Sequence, residues 1–207
     1  MATLVYDCIA GIAKTIIDNR DFLTDLDREI GDADHGVNMA RGFQAVLEKV
    51  PQDVPDIGAV LKKTGMTLLS TVGGASGPLY GTAYMEAGKV SMGKETLTPE
   101  DLRDMLDAAV KGVEKRGKAV QGEKTMLDAL IPALEAYTAK LEAGASLLEM
   151  LDAACAAARD GVEYTKTIRA TKGRASYLGD RSIGHQDPGA TSALLTLEAI
   201  RDYCREA

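Results

Sequence analysis

Tryptophan is absent from this 207-residue chain, aromatic residues amount to 4% of it, and it carries two histidines and three cysteines. With rings this scarce and Ala, Leu, Glu, Lys and Met plentiful, the composition leans towards helix. No run of alternating apolar and polar residues reads as a strand. The cysteines, Cys8, Cys155 and Cys204, lie far apart in apolar helical segments, without a CxxC or other metal spacing. That excludes a cysteine metal centre and reads as buried thiols in a reducing compartment. No basic region followed by an apolar run stands at the N-terminus, and no apolar stretch is long enough to span a bilayer. No signal peptide and no membrane partner are therefore expected, and a cytoplasmic protein is. Positive charge is short too: 24 Lys and Arg against 31 Asp and Glu leave a net charge of −7. A nucleic-acid partner is not expected of such a chain. Any phosphate ligand would need a cation or a local basic patch at its site.

Repeats, low-complexity tracts and breaks in composition are missing as well. Residues 1–207 read as one domain, with 45% hydrophobic residues to build its core. Helical periodicity is what fills the chain. Leu102, Met105, Leu106, Ala109, Val110 and Val113 recur at i, i+3, i+4 and i+7, behind Thr98-Pro99-Glu100-Asp101, a Thr N-cap with Pro at the first helical position. Ser146-Leu147-Leu148-Glu149 is a capping box that opens a second such stripe, Leu151, Ala154, Cys155, Ala158 and Val162. Residues 4–18, 38–49, 57–71, 78–91, 125–141 and 189–204 also carry helical patterning, with Pro132 predicting a kink or a late start in the 125–141 segment. The fold class expected is all-α. Between the helices, residues 27–37, 73–78, 117–124 and 172–188 are rich in glycine and polar residues, where binding groups concentrate.

Three of these joints carry candidate chemistry. Asp27-Arg28-Glu29-Ile30-Gly31-Asp32-Ala33-Asp34-His35-Gly36 holds Asp27 at a helix end and Asp32 and Asp34 on the turn after it. Three carboxylates so close repel one another unless a cation gathers them, and hard oxygen ligands of this kind suit Mg²⁺ shared with phosphates. A solvated acidic turn would carry the same residues. His35-Gly36-Val37-Asn38 opens the next helix, whose free N–H groups suit an anion. Val72-Gly73-Gly74-Ala75-Ser76-Gly77-Pro78 is a glycine turn entering a helix. Its successive N–H groups and the Ser76 hydroxyl can nest a phosphate, or it can serve as a connector alone. Residues 117–125, with Gly117 and Lys118, come near a P-loop but Glu123 interrupts the order, while Met126 behind them can wall an adenine pocket or simply fill the core. Asp187-Pro188-Gly189-Ala190 reads as an Asp cap, a Pro at the first helical position and a glycine that permits close approach. Lys172, Arg174 and Arg181 upstream bring positive charge, with Arg174 the candidate phosphate fork.

These strings, together with Gly173-Arg174-Ala175-Ser176-Tyr177-Leu178-Gly179 and Gly184-His185-Gln186, resemble the nucleotide-binding L-subunit family of the dihydroxyacetone kinases, nearly end to end and in the same order. The resemblance implies an antiparallel barrel of eight helices with ADP or ATP and Mg²⁺ at one rim. It implies that Asp27, Asp32 and Asp34 ligate two Mg²⁺. It implies further that His35, Gly36, Val37, Asn38, Ala75, Ser76, Gly117, Met126, Arg174, Asp187, Pro188 and Gly189 line the nucleotide. The substrate would sit on a separate dihydroxyacetone-binding K subunit. ADP would stay bound as a coenzyme, recharged by a multiphosphoryl M subunit of the phosphotransferase system; use of free ATP is the variant reading.

Phosphoryl transfer asks for positioning and charge neutralisation rather than a protein nucleophile, and the residues suit that. Three other classes make distinct expectations. A stand-alone Mg-dependent phosphohydrolase would turn over without partners. A serine hydrolase would use Ser76 with His35 or His185, against the missing Gly-x-Ser-x-Gly spacing and preceding strand. A binding module would retain neither metal nor nucleotide.

Overall fold

The computed structural model describes residues 2–52, 54 and 56–206; Met1 and Ala207, the ends of the expected domain, lie outside the described residues. Every regular element among the described residues is helical: α1 Ala2–Asp18, α2 Arg20–Ile30, α3 His35–Lys49, α4 Ile57–Thr71, α5 Ser76–Val90, α6 Pro99–Gly117, α7 Leu127–Glu142, α8 Leu147–Thr165 and α9 Pro188–Glu206. A 3-10 segment, Arg174–Ser182, broken at Gly179 (φ 59°), fills the loop before α9. None of the helices is long and apolar enough to cross a membrane.

Helix α1 packs on α3, α3 on α4, and so in order through α5, α6, α7, α8 and α9, which returns to α1. Eight helices thus close a ring with no open edge. The ninth, α2, stands outside that count: it caps the rim against α3 and α9. The interior is filled by side chains from all round the ring, Ile16, Met39, Phe43, Leu68 and Leu127 among them, each with essentially no exposure. Burying such residues drives closure.

The ends of the helices follow local rules. Thr98 and Ser146 each accept from the backbone three residues on, and Asp101 and Glu149 return the bond, so both capping boxes form. Helix α7 starts late, at Leu127, and Pro132 falls inside it. The tightest pairing is between α4 and α5, where glycines seven apart on one helix meet glycines seven apart on the other. A Cβ on Gly58 would lie 2.5 Å from the Gly88 carbonyl oxygen, and one on Gly65 would lie 2.6 Å from that of Gly81. Backbones that approach this closely fix α5 along its length, and so fix where its first residue, Ser76, points.

Candidate functional site

The loop ends at the α2, α3, α5 and α9 rim surround a cavity of ≈ 480 Å³. One wall is acidic. Asp27 lies on the last turn of α2, and the chain then turns through Gly31 and Ala33, a non-glycine residue at φ 58°. The turn wraps the Asp27 carboxylate: Oδ2 accepts from the backbone N–H of Asp34 at 2.8 Å and of His35 at 3.2 Å. Asp27 is thereby buried and fixed by two donors. One carboxylate oxygen from each of Asp27, Asp32 and Asp34 falls within 4.8 Å of the others. Burial, and then the charges of Asp32 and Asp27, push the Asp34 carboxyl above its ordinary range, with Asn38 and Arg174 pulling the other way. Arg174, on the 3-10 segment, puts Nε 2.7 Å from Asp32 Oδ2 while its side chain stays 66% exposed. The set is all oxygen, crowded and only partly neutralised by protein, which fits one or two hard divalent cations.

His35 joins three helix starts. Its Nδ1 hydrogen-bonds with the Ser76 hydroxyl at 3.0 Å and its Nε2 with that of Ser192 at 2.9 Å. Ser192 also contacts the Tyr80 hydroxyl at 2.7 Å and donates to the Gly189 carbonyl at 3.1 Å. The starts of α3, α5 and α9 are thus laced by one polar chain. Burial lowers the His35 pKa to about 4, against the pull of Asp27, so the ring is neutral at neutral pH. It sits between two hydroxyls, and no carboxylate orients it. Ser76 and His35 therefore meet, as a serine hydrolase would require, without the third member that activates such a pair.

The opposite wall is built around Asp187. Its Oδ2 accepts from the Ala190 N–H at 2.7 Å, an N-cap on α9, and its own N–H donates to the Thr165 hydroxyl at 3.0 Å. Burial raises its carboxyl to about 7, with the Ala190 N–H and Lys124 opposing. Lys124 is 2% exposed, and its backbone sits at φ 61°. Its ammonium donates to the carbonyls of Thr165 and His185. Asp128, fully buried at the start of α7, accepts from the Thr125 N–H at 2.7 Å.

Of the residues expected at the site, Asp27, Asp32, Asp34, His35, Ala75, Ser76, Gly117, Met126, Arg174, Asp187, Pro188 and Gly189 all line the one cavity. Gly36, Val37 and Asn38 stand outside its wall. A Cβ on Gly36 would lie 2.0 Å from the Arg20 carbonyl oxygen, so this glycine lets α3 cross α2. Val37 is exposed, and the buried Asn38 accepts from Arg41 Nη2 at 2.7 Å behind the glycine turn. Lys124, Arg116 and Tyr80 line the cavity without having been singled out. Lys124 had one available signal, a lysine at the end of a loop resembling a phosphate-binding turn.

The model of the DAK2 domain matches residues 29–202. Over 187 residues the chain is 51% identical to the PEP-dependent dihydroxyacetone kinase, ADP-binding subunit DhaL, of Escherichia coli K12, covering 90% of this chain and 89% of that protein. It is 46% identical over 191 residues to the ADP-binding subunit DhaL of PEP-dependent dihydroxyacetone kinase 1 of Listeria innocua, covering 90% and 89%. Among solved structures, the dihydroxyacetone kinase of C. freundii in complex with AMP-PNP and Mg²⁺ superposes with a TM-score of 0.69 at 26% identity, over 96% of this chain and 33% of that one.

Proposed function

The chain belongs to the DAK2-domain family, and from that premise we propose that it is the ADP-binding subunit of a phosphoenolpyruvate-dependent dihydroxyacetone kinase. It holds Mg-nucleotide as a coenzyme. A multiphosphoryl M subunit of the phosphotransferase system recharges ADP to ATP in place, and the phosphoryl group passes to dihydroxyacetone bound on a separate K subunit. The chain acts as one domain, in keeping with the single closed ring of helices. A cytoplasmic location completes the reading, supported by three cysteines that are free thiols.

The observation that carries the proposal is the gathering of three carboxylate oxygens within 4.8 Å at the wall of a nucleotide-sized cavity. Asp27, Asp32 and Asp34 would hold Mg²⁺, which neutralises phosphate charge as it develops. Around it the chain supplies position. Ala75, which caps α5, and Ser76, its first residue, face the phosphates, and His35 aims Ser76 by its ring. Gly36 and Val37 stand behind the cavity wall on the first turn of α3, whose N–H groups have no partner inside the helix, and support the site from there. Asn38 backs the glycine turn, since a Cβ on Gly73 would lie 2.8 Å from its Oδ1. Arg174 exchanges its bond to Asp32 for a phosphate oxygen. Gly117 and Met126 flank the base, and residues 187–189 meet the sugar and phosphates at the α9 start. No side chain at the site is arranged as a base for a substrate hydroxyl, which suits a subunit that carries only the nucleotide half of the reaction.

Denaturing the purified protein and identifying what it releases by mass spectrometry, with metal analysis alongside, tests this reading. Stoichiometric ADP with Mg²⁺ is expected. A protein that is empty and takes up no Mg-ADP when supplied would overturn it.

A further inference from the structure

Lys124 is the residue that the sequence least prepares for. A lysine side chain is almost never fully buried unless paired, and a lysine backbone rarely enters the left-handed region. Here both hold: the side chain is 2% exposed and φ is 61°. Burial lowers the lysine's own pKa, while Asp187 and Asp128 raise it. Its ammonium reaches two main-chain carbonyls from different segments, Thr165 at the end of α8 and His185 two residues before the α9 cap. Thr165 in turn accepts from the Asp187 N–H. One buried cation therefore touches, directly or through a single hydrogen bond, the loop behind Gly117, the end of α8 and the start of α9. Two of these three segments are walls of the nucleotide cavity.

We propose that Lys124 is the positioning residue of the nucleotide cleft: its ammonium ties the loop of residues 118–126 to the helix start at 187–189 and keeps Asp187 as a carboxylate cap on α9. The inference rests on the nucleotide reading above. The charges that act on Asp187 come from three elements, Lys124 from the loop, Asp128 from α7 and Asp27 from α2, while the Tyr80 hydroxyl of α5, kept neutral by burial, brings none. Of these Lys124 alone is cationic, so without it the carboxyl is held by burial and by like charges, and takes up a proton at a higher pH. A protonated Asp187 accepts more weakly from Ala190, and the first turn of α9 loses its fixed aim. The Lys124 ammonium is taken up by two backbone carbonyls, and it acts through Asp187.

The test is Mg-ADP affinity as a function of pH, measured by calorimetry on wild type, Lys124→Met, Asp187→Asn and the double variant, with helical content followed by circular dichroism. Wild-type binding at pH 8 is the control for the nucleotide reading itself; its absence overturns that reading and not the role of Lys124 alone. In Lys124→Met the affinity is expected to fall by about tenfold or more, since two buried carbonyls lose a charged donor. The pH at which binding is half lost is expected to move upward. A purely structural lysine would lower stability and leave that midpoint unmoved. In Asp187→Asn the affinity is expected to keep only the pH dependence that the nucleotide phosphate and the metal carboxylates bring, flatter than wild type between about 6 and 8, and adding Lys124→Met to it costs less than it does in wild type. An unshifted midpoint in Lys124→Met, or additive losses in the double variant, overturns the proposal. If Lys124→Met does not fold, Asp187→Asn alone decides: a pH profile that still matches wild type overturns it as well.

Discussion

Two acidic clusters stand at the cavity, and they are handled differently. Asp128 and Asp187 lie on one side with Lys124 between the segments that carry them; all three are buried, and the lysine supplies the compensating charge from inside the fold. Asp27, Asp32 and Asp34 lie on the other side. Their protein cation is Arg174, which reaches Asp32 from an exposed loop. The first cluster is complete in itself and its job is to hold loops together. The second exposes oxygens towards the cavity and is weakly compensated, which is the arrangement of groups that bind rather than brace.

The contrast can be broken from its buried side first. Lys124→Met leaves the buried carbonyls of Thr165 and His185 without their charged donor and Asp187 and Asp128 without a nearby cation, and the fold is expected to lose about 2–4 kcal/mol in urea unfolding. A loss below about 1 kcal/mol would put Lys124 among ordinary surface lysines. On the other side Asp32→Ala should leave the unfolding midpoint close to wild type, because Asp32 is exposed and its ion pair with the exposed Arg174 is worth little. It should weaken Mg-ADP by about 100-fold, at least the loss seen when even outer partners of a metal are removed. Calorimetry reads this directly, and unchanged binding would end the metal assignment. Arg174→Ala is milder, about five- to tenfold in nucleotide affinity, since one exposed charge-assisted bond is lost. An indifferent variant would make Arg174 a surface residue.

The finest distinction is in pH. Asp187 is raised in the fold to about 7 from an ordinary 3.8. Its contribution to stability is complete below 3.8 and is lost as pH rises through about 7, because the unfolded chain has already released the proton. Relative to Asp187→Asn, wild type should therefore lose stability between about pH 4 and 7, as read from urea midpoints at a series of pH values. A difference that stays constant over that window would mean the carboxyl is ionised throughout.

Most of the architecture was legible because helix formation here is written locally. Thr98 and Ser146 announce their caps, and the stripes behind them are long enough to fix a face. Helix α2 was visible only at its end. Its sequence, RDFLTDLDREI, buries Leu23, Asp27 and Ile30, so the residue that completes its inward stripe is an aspartate, and an apolar pattern breaks there. The glycine spacing of seven in α4 and α5 stood in the sequence unread. Isolated glycines inside helices look like a weakness until the partner helix is placed against them. At the site, turn residues and helix starts were readable as types, and twelve nucleotide candidates and three metal candidates could be named in advance. What escaped was the difference between walls and supports. Gly36 and Asn38 serve from behind, and Lys124 stands in front, because burial of a charged side chain is decided by tertiary neighbours and leaves no mark on periodicity.

The closed ring has one more consequence. Tyr203 near the end of α9 feels Asp7 and Cys8 near the start of α1, and Cys8 feels Cys204, while α9 begins at the cavity. The start of α1 and the end of α9 therefore lie together, at the end of α9 away from the cavity. The order in which the helices are threaded is thus separable from the order in which they pack. A circular permutant that links the end of α9 to the start of α1 through a flexible segment and opens the chain at Gly144, in the α7–α8 turn, keeps every neighbour pair in the ring and every loop at the cavity. It should bind Mg-ADP as the parent does.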